Sequence, residues 1–242
     1  MRLDKFLVDS GIGSRTQVKA ILKKKQITVN GKIESSPKVH ITPETDQVRY
    51  DGEALIYEQF LYYMLHKPSG VISATEDAHH KTVLDCLDDL AKQKAVFPVG
   101  RLDIDTEGLL LLTNNGQLAH AMLSPKKHID KLYQAEVAGI MTKQDQLSFQ
   151  KGITLSDHDS LPAQLDIISV NEERQTSLVN ITIQEGKFHQ VKRMVKACGK
   201  EVTYLKRLSM GPLLLDNSLE KGDWRRLTEE ELAALEVFGV PL

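Results

Sequence analysis

The sequence predicts an α+β fold, in which a small N-terminal domain precedes a larger domain built on a largely antiparallel mixed sheet with flanking helices. Asn-Gly at 30–31 and Asp-Gly at 51–52 are typical hairpin turns. Residues 131–137, 163–170 and 178–183 alternate between apolar and polar side chains, as half-buried strands do. Helical patterns interspersed among such strands favour an α+β architecture.

Composition excludes several classes of protein. The chain has 242 residues, 41% of them apolar, and a formal net charge of −2, so a nucleic-acid partner must be argued from local charge. Cys86 and Cys198 lie far apart and predict neither a zinc site nor a disulfide framework. The N-terminus carries charges where a signal peptide needs apolar residues, and no long apolar run occurs. We therefore expect a cytoplasmic protein without membrane contact.

The first fifty residues combine a basic helix with a hairpin. Residues 2–9 have helical spacing, Ser14 is a good N-cap for a helix over residues 15–25, and residues 27–29 form a short strand. Further strands are indicated at 39–41 and 48–50. The second helix carries five cations and no acid: Arg15, Lys19, Lys23, Lys24 and Lys25. Such a helix can contact a phosphate backbone, or it can be a solvated face.

The middle of the chain begins with a predicted linker at residues 53–59. An apolar strand over 60–65 ends at a proline-glycine turn, and a second short strand is predicted at 71–74. Residues 82–90 have the pattern of a short helix. Lys67 could meet a phosphate or be an ordinary loop lysine, and from the pattern we favour the loop lysine. His79 and His80 lack the partners that a metal site requires.

A glycine-bounded turn at residues 100–108 concentrates charge directly before a buried strand. It contains Arg101, Asp103, Asp105 and Glu107, and four leucines follow at 109–112. Loops that join a rigid scaffold often carry chemistry, although a polar loop with a surface salt bridge has the same pattern. The pair of aspartates also fits a two-carboxylate glycosidase, an interpretation weakened by the lack of an aromatic sugar platform.

The C-terminal half predicts alternating helices and strands. Helices are predicted at 116–122, 144–151 and 190–198, a strand at 202–208, short elements at 212–215 and 224–227, and a capped helix from Thr228. Residues 187–207 hold seven cations against the single acid Glu201: Lys187, Lys192, Arg193, Lys196, Lys200, Lys206 and Arg207.

The N-terminal segment resembles the small RNA-binding module named after ribosomal protein S-four. The resemblance rests on residues 2–7, Ser14-Arg15, residues 25–31 and Asp51-Gly52, and it covers about residues 1–55. It implies an RNA-binding domain at 1–55 that contacts RNA through its second helix, where Arg15 and Lys19 lie.

Four further motifs occur in a fixed order: residues 66–70, 100–109, 131–133 and 185–194. Together they resemble the RsuA-type bacterial ribosomal RNA pseudouridine synthases, which often carry the same N-terminal module. The resemblance extends from Met1 to about Leu235, and Ile104-Asp105-Thr106 is more similar to the small-subunit enzymes. It implies a catalytic domain at 60–236 that isomerises a specific uridine of small-subunit ribosomal RNA, without a cofactor, because the reaction needs no redox step or group carrier.

The resemblance also assigns roles to residues. Asp103 would be the ionised carboxylate that acts as nucleophile or base, Lys192 the cation beside it, and Tyr133 the aromatic ring that stacks on the target base. Substrate-binding positions would be Arg101, Leu205, Arg193, Arg15 and Lys19. The seven-cation cluster at 187–207 would contact the RNA backbone, with Lys192 turned inward. From pattern alone, Tyr133 could equally be an ordinary strand aromatic, Leu205 a core residue, Lys192 a solvated lysine and Arg101 a structural partner of Asp103.

The expected partner is small-subunit ribosomal RNA within an assembling particle, and we expect a monomer with no metal. Three alternatives stay open: a non-catalytic RNA-binding assembly factor, a large-subunit pseudouridine synthase, and a glycosylase that releases free uracil.

Overall fold

A computed structural model describes all residues from 1 to 242, which divide into two compact units. The first unit contains Met1–Leu61 and Asp89–Ala95, and the second contains Tyr62–Asp88 and Val96–Leu242. The segment 89–95, which the sequence analysis assigned to the larger domain, thus belongs to the first unit.

The first unit packs helices beside a small antiparallel sheet of strand order β2-β1-β3-β4. Its helices are α1 (Leu3–Asp9), α2 (Arg15–Lys23) and α3 (Asp89–Gln93), and its strands are β1 (Ile27–Val29), β2 (Lys32–Ile33), β3 (Val48–Tyr50) and β4 (Glu53–Ala54). Its core joins both N-terminal helices to the sheet through Leu3, Phe6, Leu7, Val18, Leu22, Ile27, Ile41 and Val48.

Local signals explain this unit. Ser14 and Gln17 form the capping box that starts α2, and the left-handed φ of Asn30 closes the β1–β2 hairpin. Two predictions were wrong. Residues 39–41 form only an isolated bridge between Arg2 and His40, and the predicted linker at 53–59 begins with β4, which pairs with β3.

The second unit is a nine-stranded sheet of order β13-β5-β7-β11-β8-β10-β9, with β12 added to β11 and β6 to β7. Its strands are β5 (Tyr62–Lys67), β6 (Phe97–Pro98), β7 (Glu107–Thr113), β8 (Lys131–Ala138), β9 (Gln164–Asn171), β10 (Thr176–Ile183), β11 (Glu201–Met210), β12 (Leu213–Leu214) and β13 (Trp224–Arg226). All neighbours are antiparallel except β7 and β11. The mostly antiparallel mixed sheet confirms the predicted α+β class.

Helices flank this sheet. They are α4 (Gly116–Leu123), α5 (Lys143–Lys151), α6 (Gln190–Ala197) and α7 (Glu229–Leu235), with single 3₁₀ turns at Val83–Cys86, Pro125–Lys127 and Glu236–Phe238. No helix in the chain combines the length and apolar character needed to cross a membrane.

Burial follows the sequence pattern. Every residue of β7 is buried, as the four-leucine run predicts for a central strand, whereas β8 and β10 alternate between buried and accessible residues. Two predicted elements differ. Residues 71–74 contribute only a bridge between Ile72 and Thr82, and the predicted helix at 82–90 is a 3₁₀ turn that ends where Leu87 becomes extended.

The short parallel contact between β7 and β11 demands a glycine. Gly108 lies opposite Arg207, and a Cβ added at position 108 would lie 2.6 Å from the Arg207 nitrogen and closer still to its carbonyl oxygen. Its φ is +104°, which side chains rarely adopt. The Arg207 side chain is itself buried, and its Nε donates to the Leu109 carbonyl over 2.8 Å. The two strands therefore pack backbone to backbone here.

We expect Gly108→Ala to lower the midpoint of thermal unfolding by about 5 °C or more, because the methyl group must displace β11 and the backbone conformation is strained. The matched control is Gly116→Ala, at the first position of α4, where an added Cβ meets nothing within 4 Å. Its midpoint should stay within about 2 °C of the wild type. Equal midpoints for the two variants would contradict the close packing.

Candidate active site

The loop between β6 and β7 is held by buried hydrogen bonds on both sides. The Val99 N–H donates to the Leu111 carbonyl over 2.8 Å. The Ser73 hydroxyl donates to the Leu102 carbonyl over 2.9 Å and accepts from the Leu102 N–H over 3.0 Å. The Thr106 N–H then closes a turn onto the Asp103 carbonyl over 3.1 Å. Asp103 is therefore presented from a fixed backbone.

Lys67 anchors the far side of the same loop, so the interpretation as an ordinary loop lysine was wrong. The side chain is fully buried, and Nζ donates to the carbonyls of Pro68, Ile104 and Thr106 over 3.0, 3.3 and 2.9 Å. Burial lowers the pKa of Lys67 to about 8, against the opposing effect of the Asp105 carboxylate. This ammonium holds backbone carbonyls together and does not reach solvent.

Helix α6 faces this loop and carries Lys192. Buried Gln190 fixes its start, since Nε2 donates to Glu185 Oε2 over 2.8 Å and Oε1 accepts from the Lys187 N–H over 3.1 Å. The residue before the helix, His189, has a left-handed φ of 48°. Val191, Met194 and Val195 are buried, which leaves Lys192 on the side toward the loop.

Lys192 contacts two carboxylates at once. Its Nζ lies 3.2 Å from Asp103 Oδ2 and 2.6 Å from Asp105 Oδ1, and His189 Nε2 lies 3.6 Å from the other Asp103 oxygen. The hydrogen bond from Lys192 lowers the pKa of Asp105. The side chains differ in exposure: 27% for Asp103 and 63% for Asp105. Asp103 is thus the carboxylate that is withdrawn from solvent.

Asp103 lines a cleft of about 390 Å³, part of which is open to solvent. Tyr133 on β8 and Leu205 on β11 are both nearly buried and line it together with Asp103 and Lys192. The structure therefore brings together the predicted catalytic residues and the predicted apolar wall. Arg101 also lines the cleft, from an exposed position at its rim.

Thr106 adds a polar group to the floor of this cleft. It is buried and lines the cleft, and its hydroxyl has no hydrogen-bond partner in the protein. A buried hydroxyl without a partner is costly, and a polar group of a bound molecule could satisfy it.

Arg193 does not turn into the cleft. Its guanidinium donates to Asp157 and to the Ser156 hydroxyl, and the ion pair lowers the pKa of Asp157 to about 2. The larger basic cluster at 187–207 is also mostly paired internally. Lys187 contacts Glu185, Lys200 contacts Asp145, and Arg207 is buried. Lys187 and Lys196 are nevertheless exposed, so contact of this cluster with an RNA backbone stays a prediction.

Arg15 and Lys19 lie in the first unit, exposed on one side of α2. They border a shallow groove together with Lys5 and with Arg2, which is paired to Asp4 over 2.6 Å. This groove combines basic side chains with open access, which suits a phosphate backbone.

Sequence reasoning missed the parts that position Asp103. His189, Lys67 and Ser73 were not assigned to the site, and the sequence does not show that Asp105 shares the Lys192 ammonium with Asp103. His189 and Lys67 carried a usable signal, since they lie in the motifs at 185–194 and 66–70. Ser73 and Lys67 act through hydrogen bonds to backbone groups, which no sequence pattern identifies.

The site can perform acid–base or nucleophilic chemistry beside a planar group. A carboxylate next to an ammonium supplies the reactive group, and Tyr133 supplies a ring against which a base can lie. No cluster of three potential metal ligands occurs in the chain.

Comparison with known proteins agrees with this arrangement. Residues 61–197 match the RNA pseudouridylate synthase family, and residues 1–48 match the S4 domain. An uncharacterized RNA pseudouridine synthase of Bacillus subtilis, YtzG, is 47% identical over 97% of this chain and 98% of its own.

Two further relatives carry more specific names. The ribosomal small subunit pseudouridine synthase A of Yersinia pestis is 41% identical over 97% of this chain and 98% of its own. The ribosomal large subunit pseudouridine synthase B of Bacillus subtilis is 39% identical over 97% of this chain and 95% of its own.

A solved structure described as a pseudouridylate synthase is also similar over the whole chain. It has a TM-score of 0.67 and 35% sequence identity, and the match covers 97% of this chain and 99% of that one. The cleft at Asp103, the family match and the full-length relatives agree: the chain belongs to the RNA pseudouridylate synthase family and carries an N-terminal S4 domain.

Proposed function

We propose that the protein isomerises a specific uridine of small-subunit ribosomal RNA to pseudouridine, with Asp103 as the reacting carboxylate. The observation that carries this proposal is the 3.2 Å contact between Asp103 and Lys192 at the wall of a cleft that also contains Tyr133. The reaction exchanges an N1–C1′ bond for a C5–C1′ bond. The proton on C5 leaves and N1 gains one, so no cofactor is consumed.

Electrostatics favour Asp103 over Asp105 as the reacting group. Apolar side chains of the cleft penalise a charged carboxylate, and an ammonium in contact offsets that penalty. Asp103 has this arrangement, since it lines the cleft with Leu205 and Val191 and contacts Lys192. Asp105 is more exposed and does not line this cleft. We assign Asp105 the role of holding Lys192 in place.

Tyr133 and Leu205 support the target base in this proposal. Both belong to the central strands of the sheet, where Tyr133 pairs with Arg207 and Leu205 with Ala135 in the β8–β11 register. A uridine that leaves its RNA stack needs an apolar and aromatic pocket to compensate for the lost stacking. Arg101, at the rim, is placed to meet the phosphate of that nucleotide.

The choice of small-subunit RNA rests on the Ile104-Asp105-Thr106 motif and on relatives named as small-subunit enzymes. One relative of similar sequence identity is named for the large subunit, so the substrate must be identified by assaying both ribosomal RNAs. We further propose that the substrate is an assembling particle, that the enzyme acts as a monomer, and that Arg15 and Lys19 contact the RNA outside the cleft.

The first prediction of the proposed function separates the roles of the Asp103 and Asp105 carboxylates. We expect Asp103→Asn to reduce pseudouridine formation by at least about 10⁴-fold, because the reacting carboxylate is lost. RNA affinity should change little. Asp105→Asn, which removes the other partner of Lys192, should cost less than about 10-fold. The measurement is single-turnover tritium release from RNA labelled at uridine C5. Activity of Asp103→Asn near the wild-type rate would end the assignment.

The second prediction tests the ammonium. We expect Lys192→Met to lower the single-turnover rate at saturating RNA by about 100-fold or more, because the Asp103 charge loses its preorganised partner. Lys192→Arg should recover part of this loss. Lys196→Met, one turn along the same helix and exposed, should stay within about 3-fold of the wild type. Equal losses for Lys192→Met and Lys196→Met would mean that only general charge matters.

The third prediction concerns the S4 domain. We expect Arg15→Ala combined with Lys19→Ala to weaken RNA binding about 10-fold or more, and to reduce the slope of affinity against salt by about 1 to 2. The rate at saturating RNA should not change. A double variant at Lys143 and Lys151, exposed on α5, has the same change in charge and serves as the control. Unchanged RNA affinity of the Arg15 and Lys19 double variant would show that this side of α2 is only a solvated surface.

The fourth prediction identifies the RNA. Incubation of unmodified ribosomal RNAs and immature particles with the protein should yield pseudouridine at one position of small-subunit RNA. Modification of large-subunit RNA would replace the proposed substrate. Binding without any isomerised uridine would favour an assembly factor, and release of free uracil would indicate a glycosylase.

A further inference from the structure

We propose that Phe188, seated on the ring of His189, is a stacking platform for the RNA base that neighbours the target uridine. The proposal rests on the RNA substrate proposed above and adds a second base-binding position to the same site. Tyr133 lies inside the cleft, whereas Phe188 lies outside it.

Phe188 is the most exposed aromatic side chain of this protein. Its relative exposure is 74%, whereas every other phenylalanine, tyrosine and tryptophan is buried or half-buried. Single exposed apolar side chains are common on protein surfaces, and the exposure of Phe188 is informative because the ring stacks on His189, which lines the cleft. Because it is a single ring, it matches one planar partner better than a protein surface, which needs a larger patch.

The Phe188 ring already belongs to a stack. Its centroid lies 3.8 Å from that of His189, with 17° between the two planes. One face of Phe188 is thus covered by His189, and the 74% exposure leaves the other face to solvent. A base on that open face would extend the column to three rings, and stacking on aromatic rings is how proteins hold single RNA bases.

The stack stands beside the reacting group. His189 lines the cleft, and the Nε2 atom on the edge of its ring lies 3.6 Å from Asp103 Oδ1. A base on the open face of Phe188 would therefore lie at the border of the cleft and not inside it, which is where a nucleotide adjacent to the target uridine is expected. When the uridine leaves the RNA stack, its neighbour loses one stacking face, and Phe188 can replace it.

The backbone around the column is fixed rather than free. His189 adopts a left-handed φ of 48° at the start of α6, and the Phe188 carbonyl accepts from Arg193 Nη1 over 3.4 Å. Next to the pair, the Lys187 N–H donates to Gln190 over 3.1 Å. A preordered platform loses less conformational entropy on binding than a mobile loop. Lys187 is exposed beside it and can meet a phosphate of the same strand.

The experiment uses the RNA fragment that contains the uridine modified by the wild-type protein, whichever ribosomal RNA provides it. We expect Phe188→Ala to weaken binding of this fragment about 5- to 150-fold, the range for loss of one stacked base. Phe188→Leu should lose nearly as much, whereas Phe188→Trp should restore binding because it keeps a ring. Val237→Ala, at the same 74% exposure but in the C-terminal 3₁₀ turn and without an aromatic ring, should bind as the wild type does.

A double-mutant cycle with abasic RNA identifies the stacked base. An abasic nucleotide replaces the residue on the 5′ or the 3′ side of the target uridine. At one of these two positions, the wild type should lose affinity while Phe188→Ala loses no more than about 2-fold further. This non-additivity is not expected of a ring with a merely structural role.

Two results would overturn the platform. One is Phe188→Ala binding within about 2-fold of the wild type, and the other is fully additive losses with abasic RNA on both sides. Both differ from failure of the proposed function, in which the wild-type protein itself forms no pseudouridine in any ribosomal RNA.

Discussion

One ammonium between two carboxylates connects the halves of the cleft. Lys192 reaches Asp105 over 2.6 Å and Asp103 over 3.2 Å, across 87 and 89 residues of sequence. It therefore fixes the distance between α6 and the loop before β7, in addition to balancing charge. Exposed ion pairs contribute little, but this one is partly buried, with the Lys192 side chain 22% exposed. Its main effect is to define where the Asp103 oxygens point.

The rest of the second unit keeps both ends of that contact in place. Lys67 and Ser73 hold the loop through its carbonyls, and buried Gln190 holds the start of α6. Between them, Gly108 lets β7 approach β11 closely enough for the two strands to pair. Lys67, Ser73 and Gln190 bury polar side chains, and Gly108 adopts a backbone conformation that other residues rarely take. Such unfavourable features are typical of functional sites, where small displacements of a reacting group matter.

Much of the fold could be predicted because its signals are local. Ser14 starts α2 by its own hydrogen bond to the chain, and the leucine run of β7 is buried on both faces as its composition indicates. The strand predictions at 39–41 and 71–74 were wrong because pairing depends on distant parts of the chain and not on local signals. Their apolar residues fit a strand, but a strand exists only where a partner edge is available, and here each segment finds a single bridge.

The site divides in the same way. Asp103, Tyr133 and Lys192 were predicted through motifs, and the structure brings them to one cleft. Lys67 was misinterpreted because a lysine beside a proline-glycine turn is typically solvated, and its burial depends on carbonyls nearly forty residues away. Arg193, predicted to bind substrate, instead forms an ion pair with Asp157, and the charge pattern along the sequence does not reveal this partner.

The positions of the charges around the cleft have a consequence for selectivity. Inside, the Lys192 ammonium already contacts the two aspartates, and the remaining lining includes the apolar and aromatic side chains of Leu205 and Tyr133. Arg101 is exposed at the rim, so a phosphate can be held there while only the uncharged base goes in. A longer strand can add phosphate contacts outside the cavity that a free mononucleotide lacks, and we therefore expect discrimination in favour of polymer over monomer.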